Sequence, residues 1–212
     1  RFDIVIAVDG PAASGKGTIA RALAAHFGLP HMDTGSLYRA VGLAVLRAGG
    51  DPSDAALAAG CARTLDVTVL DDPALRESAT ARAASVVSAH PEVRAALLER
   101  QRSFARRPGG AVLDGRDIGT VIAPEADIKI FVTASLDVRA KRRQAETPER
   151  DLAVVRANLA ERDARDAGRD AAPLRQAEDA ILLDTSDMDR DAAVARAVAL
   201  AEARLAEKTA LR

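Results

Sequence analysis

The chain has 212 residues, with 30 Lys and Arg against 31 Asp and Glu, so its formal charge of −1 provides no net field for coating a nucleic-acid polymer or an anionic membrane. Aromatic residues make up 2%, Tyr38 is the single tyrosine and tryptophan is missing, which excludes stacking platforms for single strands. Alanine supplies 48 residues, which favours closely packed helices, and the length fits one large domain or a core with a small mobile appendage.

Residues 4–8 form an uninterrupted apolar, β-branched run, the pattern of a strand buried on both faces. Nothing basic and then hydrophobic precedes it, so no secretory leader is expected. A helix is predicted over 17–25. The longest uncharged run, 22–32, contains His26 and Pro30 and falls well short of the roughly 20 apolar residues that span a bilayer. A second helix is predicted over 37–47. Cys61 is the only cysteine, which bars an internal disulfide or a cysteine metal cluster. It reads as a small buried hydrophobe, and a reducing cytoplasm is the expected compartment. Residues 66–88 break the rhythm with a weak strand at 67–70 and then a polar stretch, read together as part of an insertion. Pro91 followed by Glu92 opens a helix over 91–107. Strands at 111–113, 128–133 and 181–183 alternate with helices at 136–143, 148–166 and 191–206, and Gly168 offers a bend in the charged stretch 163–173. The alternation predicts an α/β fold with a parallel sheet covered by helices on both faces.

Four clusters carry chemistry. The first is Gly10-Pro11-Ala12-Ala13-Ser14-Gly15-Lys16-Gly17-Thr18, which follows a strand and opens a helix, the context of a phosphate-binding loop. Its glycines let consecutive N–H groups turn toward an anion, the helix N-terminus adds a positive dipole end, and Lys16 reaches the outer phosphates. Gly17 stands where many such loops place the hydroxyl that holds magnesium, with Thr18 one position later, which weighs against a typical ATPase or GTPase. The only asparagine, Asn158, is followed by Leu159, so no Asn-Lys-x-Asp guanine reader exists. Gly15 to Ala20 also matches G-x-G-x-x-A, but Asp9 to Ser14 separate it from the strand, and a dinucleotide fold is disfavoured.

The second cluster, Asp33-Thr34-Gly35-Ser36-Leu37-Tyr38-Arg39, by itself reads as a helix cap. The third places Asp114 at the end of a strand, followed by Gly115-Arg116-Asp117-Ile118-Gly119. Either this is a tight turn with surface charges, or Asp114 orients magnesium or its waters there and Arg116 faces the same crevice. The fourth puts Arg162, Asp166 and Arg169 at i, i+4 and i+7, on one helical face. That is either a solvated salt-laced surface or a mobile arginine flap for phosphates.

With the four in order over nearly the whole chain, the sequence resembles the bacterial cytidylate kinase family of nucleoside monophosphate kinases. The resemblance implies a three-layer P-loop kinase fold with a five-stranded parallel sheet, a core of 1–33, 108–147 and 178–212, an acceptor-nucleotide insertion at about 34–107 and an arginine-bearing lid at about 148–177. It implies transfer of the γ-phosphoryl group of ATP, with Mg²⁺, to CMP or dCMP, and the free lid motion that closure requires points to a monomer. By the same resemblance residues 10–18 cradle ATP, and Thr34, Tyr38, Arg39 and Arg116 grip the acceptor phosphate. Ser85, Arg94 and Asp117 read the cytosine edge, Arg162, Asp166 and Arg169 close from the lid, and Asp114 belongs to the substrate site. Lys16, Arg116, Arg162 and Arg169 are the expected catalytic cations. Ala13 replaces a glycine of many relatives, a change tolerated if its φ is negative, and the stretch before Ser85 is shorter than in longer relatives. A small-molecule kinase on the same fold would have no reason to keep the Ser85, Arg94 and Asp117 set, and a nucleotide-binding switch would bind without acceptor-dependent ADP release.

Overall fold

A computed structural model describes residues 3–149 and 151–210. Arg150, inside the helix expected over 148–166, and residues 1, 2, 211 and 212 of the expected core lie outside the described residues.

Five strands form one parallel sheet: β1 (Ile4–Asp9), β2 (His31–Asp33), β3 (Gly110–Gly115), β4 (Ile128–Thr133) and β5 (Ile181–Asp184), in the order β2-β3-β1-β4-β5. In the central register Ile6 lies opposite Val112 and Ile128. Because successive side chains point to opposite faces, β1 sorts its residues between two cores. On one face Ile6 and Val8 join Ile128, Ile130 and Val132 under Ile19 and Leu23 of α1 (Lys16–Phe27) and Ala193, Ala197 and Ala201 of α8 (Arg190–Ala210). Those alanines, four apart, form a smooth stripe that lets α8 approach closely. On the other face Ala7, Ala111 and Leu113 meet Ala105 of α5 (Pro91–Ala105) and the short π-helical turn Ile118–Ile122.

The fifth strand, β2, has no apolar run to announce it. It pairs with β3 through His31, Met32 and Asp33, and it delivers Asp33 to the start of α2 (Thr34–Arg47). The Asp33 carboxylate accepts from the Ser36 N–H at 3.3 Å, so the helix starts three residues before its predicted boundary. Helices α2, α3 (Ala55–Arg63), α4 (Ser78–Val87) and α5 bury a third core that includes Leu37, Val41, Ala58, Ala84, Val87 and Leu97. The weak strand expected at 67–70 is instead a 3-10 helix, Val67–Asp71, followed by another at Pro73–Arg76. Asp66 accepts from the Thr68 N–H and Asp72 from the Ala74 N–H, each at 2.9 Å, and these local bonds favour tight turns over a ladder.

The last layer is a helical hairpin of α6 (Leu136–Glu146) and α7 (Leu152–Gly168). Helix α7 starts at Leu152 rather than at 148 because the Asp151 carboxylate accepts from the Ala153 N–H at 2.8 Å. The bend expected at Gly168 comes at Arg169, whose backbone is extended. Among the described residues no helix is long and apolar enough to cross a membrane.

Candidate functional site

The loop after β1 is set by close approach. A Cβ on Gly10 would lie 2.0 Å from the Val132 carbonyl oxygen, so only glycine lets the chain leave the sheet here. Gly15, at φ 93°, ends the loop, and no side chain caps the first turn of α1, a helix terminus of the kind that can accept an anion. The expectation of a negative φ at Ala13 is corrected: its φ is 59°. The loop needs a left-handed residue at this point, and alanine adopts that conformation at a cost of roughly 1–2 kcal/mol. Desolvation, and next the Arg116 guanidinium, push the Lys16 ammonium down to about 7, while Asp114 and Asp33 pull the other way.

Ala13, Ser14, Gly15 and Thr18 line a cavity of about 330 Å³ with Arg142, Glu146 and Met188 to Arg190. Arg142 is a hub that sequence reasoning missed. Its guanidinium donates to the Ser14 carbonyl at 3.3 Å, to Thr185 Oγ1 at 3.0 Å and to the Thr185 carbonyl at 2.7 Å. No motif marks it among 26 arginines.

Thr34, Tyr38, Arg94, Arg116, Asp117, Arg162, Asp166 and Arg169 converge on one small pocket of about 30 Å³, drawn from α2, α5, α7 and the loop after β3. Thr34 Oγ1 donates to the Asp114 carbonyl at 2.8 Å and ties α2 to β3. Arg94 lies over the Tyr38 ring at 5.2 Å and pairs with the buried Asp117 carboxylate. Arg116 Nε donates to Asp166 Oδ2 at 2.9 Å, and Arg169 stands 3.7 Å from Asp166 Oδ1. Burial raises the Asp166 carboxyl, yet Arg116 and Arg162 outweigh it and hold the group below the usual carboxylate range. Burial, and next Arg116, push Arg162 down to about 9. Arg162 Nε and Arg169 Nη2 are buried without a hydrogen-bond partner among the described residues.

Three residues predicted for the substrate site stand apart from this set, Ser85, Arg39 and Asp114. Ser85 is buried on α4 with its hydroxyl unpartnered, and it lines a neighbouring cavity of about 430 Å³ that shares only Arg162 with the pocket of Arg94 and Asp117, where Ser88 is the serine present. Arg39 donates to the Leu75 carbonyl at 3.1 Å and lies in the field of Asp33, Arg143 and Arg116 rather than on the pocket wall.

Two buried acids complete the frame. Asp9, at the end of β1, accepts from the Ile118 N–H at 2.9 Å and the Gly119 N–H at 2.8 Å, which fixes the turn after Asp117. Burial pushes its carboxyl up to about 7. Asp114 Oδ1 pairs with His31 Nε2 at 2.6 Å. Its Oδ2 lies 3.8 Å from the place a Gly17 Cβ would occupy, so the absent side chain leaves a cradle between loop and carboxylate. No group of three metal-ligating side chains exists among the described residues. A divalent ion there would share Asp114 with phosphate and water oxygens, an arrangement that suits magnesium.

A family model described as cytidylate kinase matches residues 6–203. The chain is 58% identical over 204 residues to a cytidylate kinase of Rhodopseudomonas palustris strain TIE-1, covering 94% of this chain and 96% of that protein. It is 60% identical over 207 residues to a cytidylate kinase of Xanthobacter autotrophicus, covering 96% and 99%. A solved structure of an uncharacterized protein from Eubacterium ventriosum shares the fold, with a TM-score of 0.57 at 16% identity over 95% of this chain and 99% of that one.

Proposed function

The chain belongs to the cytidylate kinase family, and from that premise we propose that it transfers the γ-phosphoryl group of ATP to CMP or dCMP, giving ADP and CDP or dCDP. The observation that supports this most directly is that Lys16 links two half-sites. Its neighbours Gly15 and Thr18 line the Arg142 cavity at an uncapped helix terminus, and its ammonium lies in the field of Arg116 and Arg162, which line the pocket of arginines and aspartates.

In this reading residues 10–18 and Arg142 hold the triphosphate. Arg116, Arg162 and Arg169 surround the acceptor phosphate and the transferred group, with Thr34, Tyr38 and Arg39 at the base of that grip. Arg94 and Asp117 present a fixed donor and acceptor to the base edge, the unpartnered Ser85 hydroxyl reaches the base from the adjoining cavity on the α4 side, and Asp166 takes the ribose. The acceptor oxygen is already anionic at pH 7, so no strong general base is needed, and catalysis rests on alignment and neutralisation of charge. Asp114 would hold Mg²⁺ or its water ligands, and the ion would supply charge neutralisation across the phosphates. Residues 34–107 then form the acceptor region and 148–177 the lid on a core of 1–33, 108–147 and 178–212. We take the working unit to be a monomer, because closure moves the lid against that core.

The test is ADP release with CMP, dCMP, UMP, AMP and dTMP as acceptors. CMP and dCMP should be the preferred pair, and a preference for AMP or dTMP, or release independent of acceptor, refutes the reading. Lys16→Ala and Arg116→Ala should each lower kcat by about 10²-fold or more, the scale of losing one preorganised charge contact. Near-normal rates at saturating CMP and ATP would refute those roles.

A further inference from the structure

One buried arginine outside the site already described touches the phosphate-binding loop and the lid at once. Arg139 of α6 is 6% exposed. Its Nε donates to the Ala134 carbonyl at 2.9 Å, which fixes the guanidinium to the start of its own helix. Nη1 donates to the Ala12 carbonyl at 3.3 Å and to Asp163 Oδ1 at 3.1 Å, and Nη2 donates to Asp163 Oδ2 at 2.7 Å. The two bonds to Asp163 make a bidentate fork, which fixes direction as well as distance. An apolar contact joins the same three pieces, because Ala12 of the loop, Ala140 of α6 and Val155 and Leu159 of α7 are buried against one another.

The position of the fork matters on both sides. Asp163 follows Arg162 directly and precedes Asp166 by three residues, so any rotation of α7 that breaks the fork also carries those two side chains out of the pocket. In the loop, the carbonyl and the following N–H of a trans peptide point in opposite directions. Arg139 holds the Ala12 carbonyl toward α6, so the Ala13 N–H faces away from α6, and Ala13 takes its left-handed φ of 59° at this junction. The loop and the lid are therefore oriented by one guanidinium.

We infer that Arg139 is a positioning residue that, through Asp163, couples the phosphate-binding loop to the lid helix, so that a triphosphate on the loop orders α7 and strengthens binding of the acceptor nucleotide. The acceptor half of this inference rests on the function proposed above, and the donor half stands without it. By linkage, an acceptor that orders α7 must strengthen triphosphate binding by the same factor.

The experiment compares the full-length chain with Arg139→Lys, which keeps the charge and loses the fork, and with Asp163→Asn, which keeps the shape and weakens it. Hydrogen exchange of the amides of 152–168 is measured with and without a non-hydrolysable ATP analogue, and CMP is titrated calorimetrically under the same two conditions. In the native chain the analogue should slow exchange in 152–168 and tighten CMP by at least about fivefold, the lower end of ordinary coupling. In both variants the analogue should still bind, with the exchange effect lost, the CMP ratio within about twofold of one, and the double variant no worse than either single one. Analogue-induced protection that persists in folded Asp163→Asn and Arg139→Lys overturns the inference whatever the acceptor proves to be. So does its lack in the native chain. A native chain that shows the protection but does not bind CMP refutes the proposed acceptor and leaves the coupling of loop to lid supported.

Discussion

Two glycines in helices α2 and α3 should respond oppositely to the same substitution. In an unobstructed helix, Gly→Ala gains about 0.5–1 kcal/mol from reduced backbone entropy in the unfolded chain. At Gly60 of α3 a new Cβ meets nothing within 4 Å, so Gly60→Ala should stabilise by about that amount. At Gly42 of α2 the Cβ would lie 2.8 Å from the Ala84 backbone nitrogen and 3.0 Å from the Ala83 Cβ on α4. Neither neighbour can rotate away, so the two helices must part, and overpacking of this kind costs about 1–3 kcal/mol. The net effect of Gly42→Ala is then a loss of about 1–2 kcal/mol, or a fall in Tm of roughly 3–6 °C for a chain of this size. Because Ser85 adjoins Ala84, the KM for the acceptor should rise while that for ATP holds. Thermal melts of both variants beside the native chain, with initial rates at varied CMP, decide the matter. A rise in Tm for Gly42→Ala comparable to that for Gly60→Ala would refute the close approach of α2 and α4.

Lys16 starts near 7, and a polyphosphate would return it toward its ordinary value of 10.5, so binding takes up protons and ATP affinity falls as pH rises through that window. At pH 8 the uptake should approach about 0.9 proton, read from calorimetry in buffers of different ionisation enthalpy, and Lys16→Met should abolish it. Asp117→Ala strands the buried Arg94 guanidinium and should lower unfolding free energy by about 3–5 kcal/mol in urea titrations, with loss of CMP binding. Ala13→Gly relieves the left-handed alanine and should stabilise by about 0.5–1 kcal/mol, after allowance for the greater entropy of glycine in the unfolded chain, with turnover unchanged. Arg142→Ala should raise the KM for ATP about tenfold or more, as loss of charge-assisted bonds implies, with the KM for CMP held; equal changes in both would refute its place on the donor side.

The central strands and most core helices are legible because each is a long uniform pattern. The run at 4–8 can be buried only in a sheet covered on both faces, and the glycine-rich loop after it has one structural context. The elements that sequence reasoning misplaced lack such patterns. β2 is three residues, one of them charged, held by pairing with β3 rather than by its own preference. α3 and α4 are rich in alanine and serine, whose small side chains give no strong stripe, and they stand only because Leu37, Val41 and Leu97 pack over them. The residues 67–70 look like a strand until the flanking aspartates cap their turns. Within the site, the second, third and fourth motifs each bring residues to one pocket, and the first lines a separate cavity. Arg139, Arg142 and Asp9 were invisible because their roles depend on backbone carbonyls and amides supplied from distant parts of the chain, and His31 because its partner is the Asp114 carboxylate on another strand.

The near-zero net charge and the cationic cleft are compatible because the acids there are fewer than the cations they orient. Asp117 holds Arg94, and Asp166 divides its two oxygens between Arg116 and Arg169. Buried pairs of this kind contribute little net stability, since desolvation offsets most of the attraction. What they do is keep each guanidinium in a defined direction, the arrangement that makes a charge effective on a reacting phosphate. Arg162 and Lys16 make no ion pair with a carboxylate among the described residues, and both are pushed down, to about 9 and about 7, first by burial and then by Arg116. Groups that depress one another in this way have the most to gain from a dianion placed between them, so the unpaired donors Arg162 Nε and Arg169 Nη2 mark where the phosphate oxygens would sit.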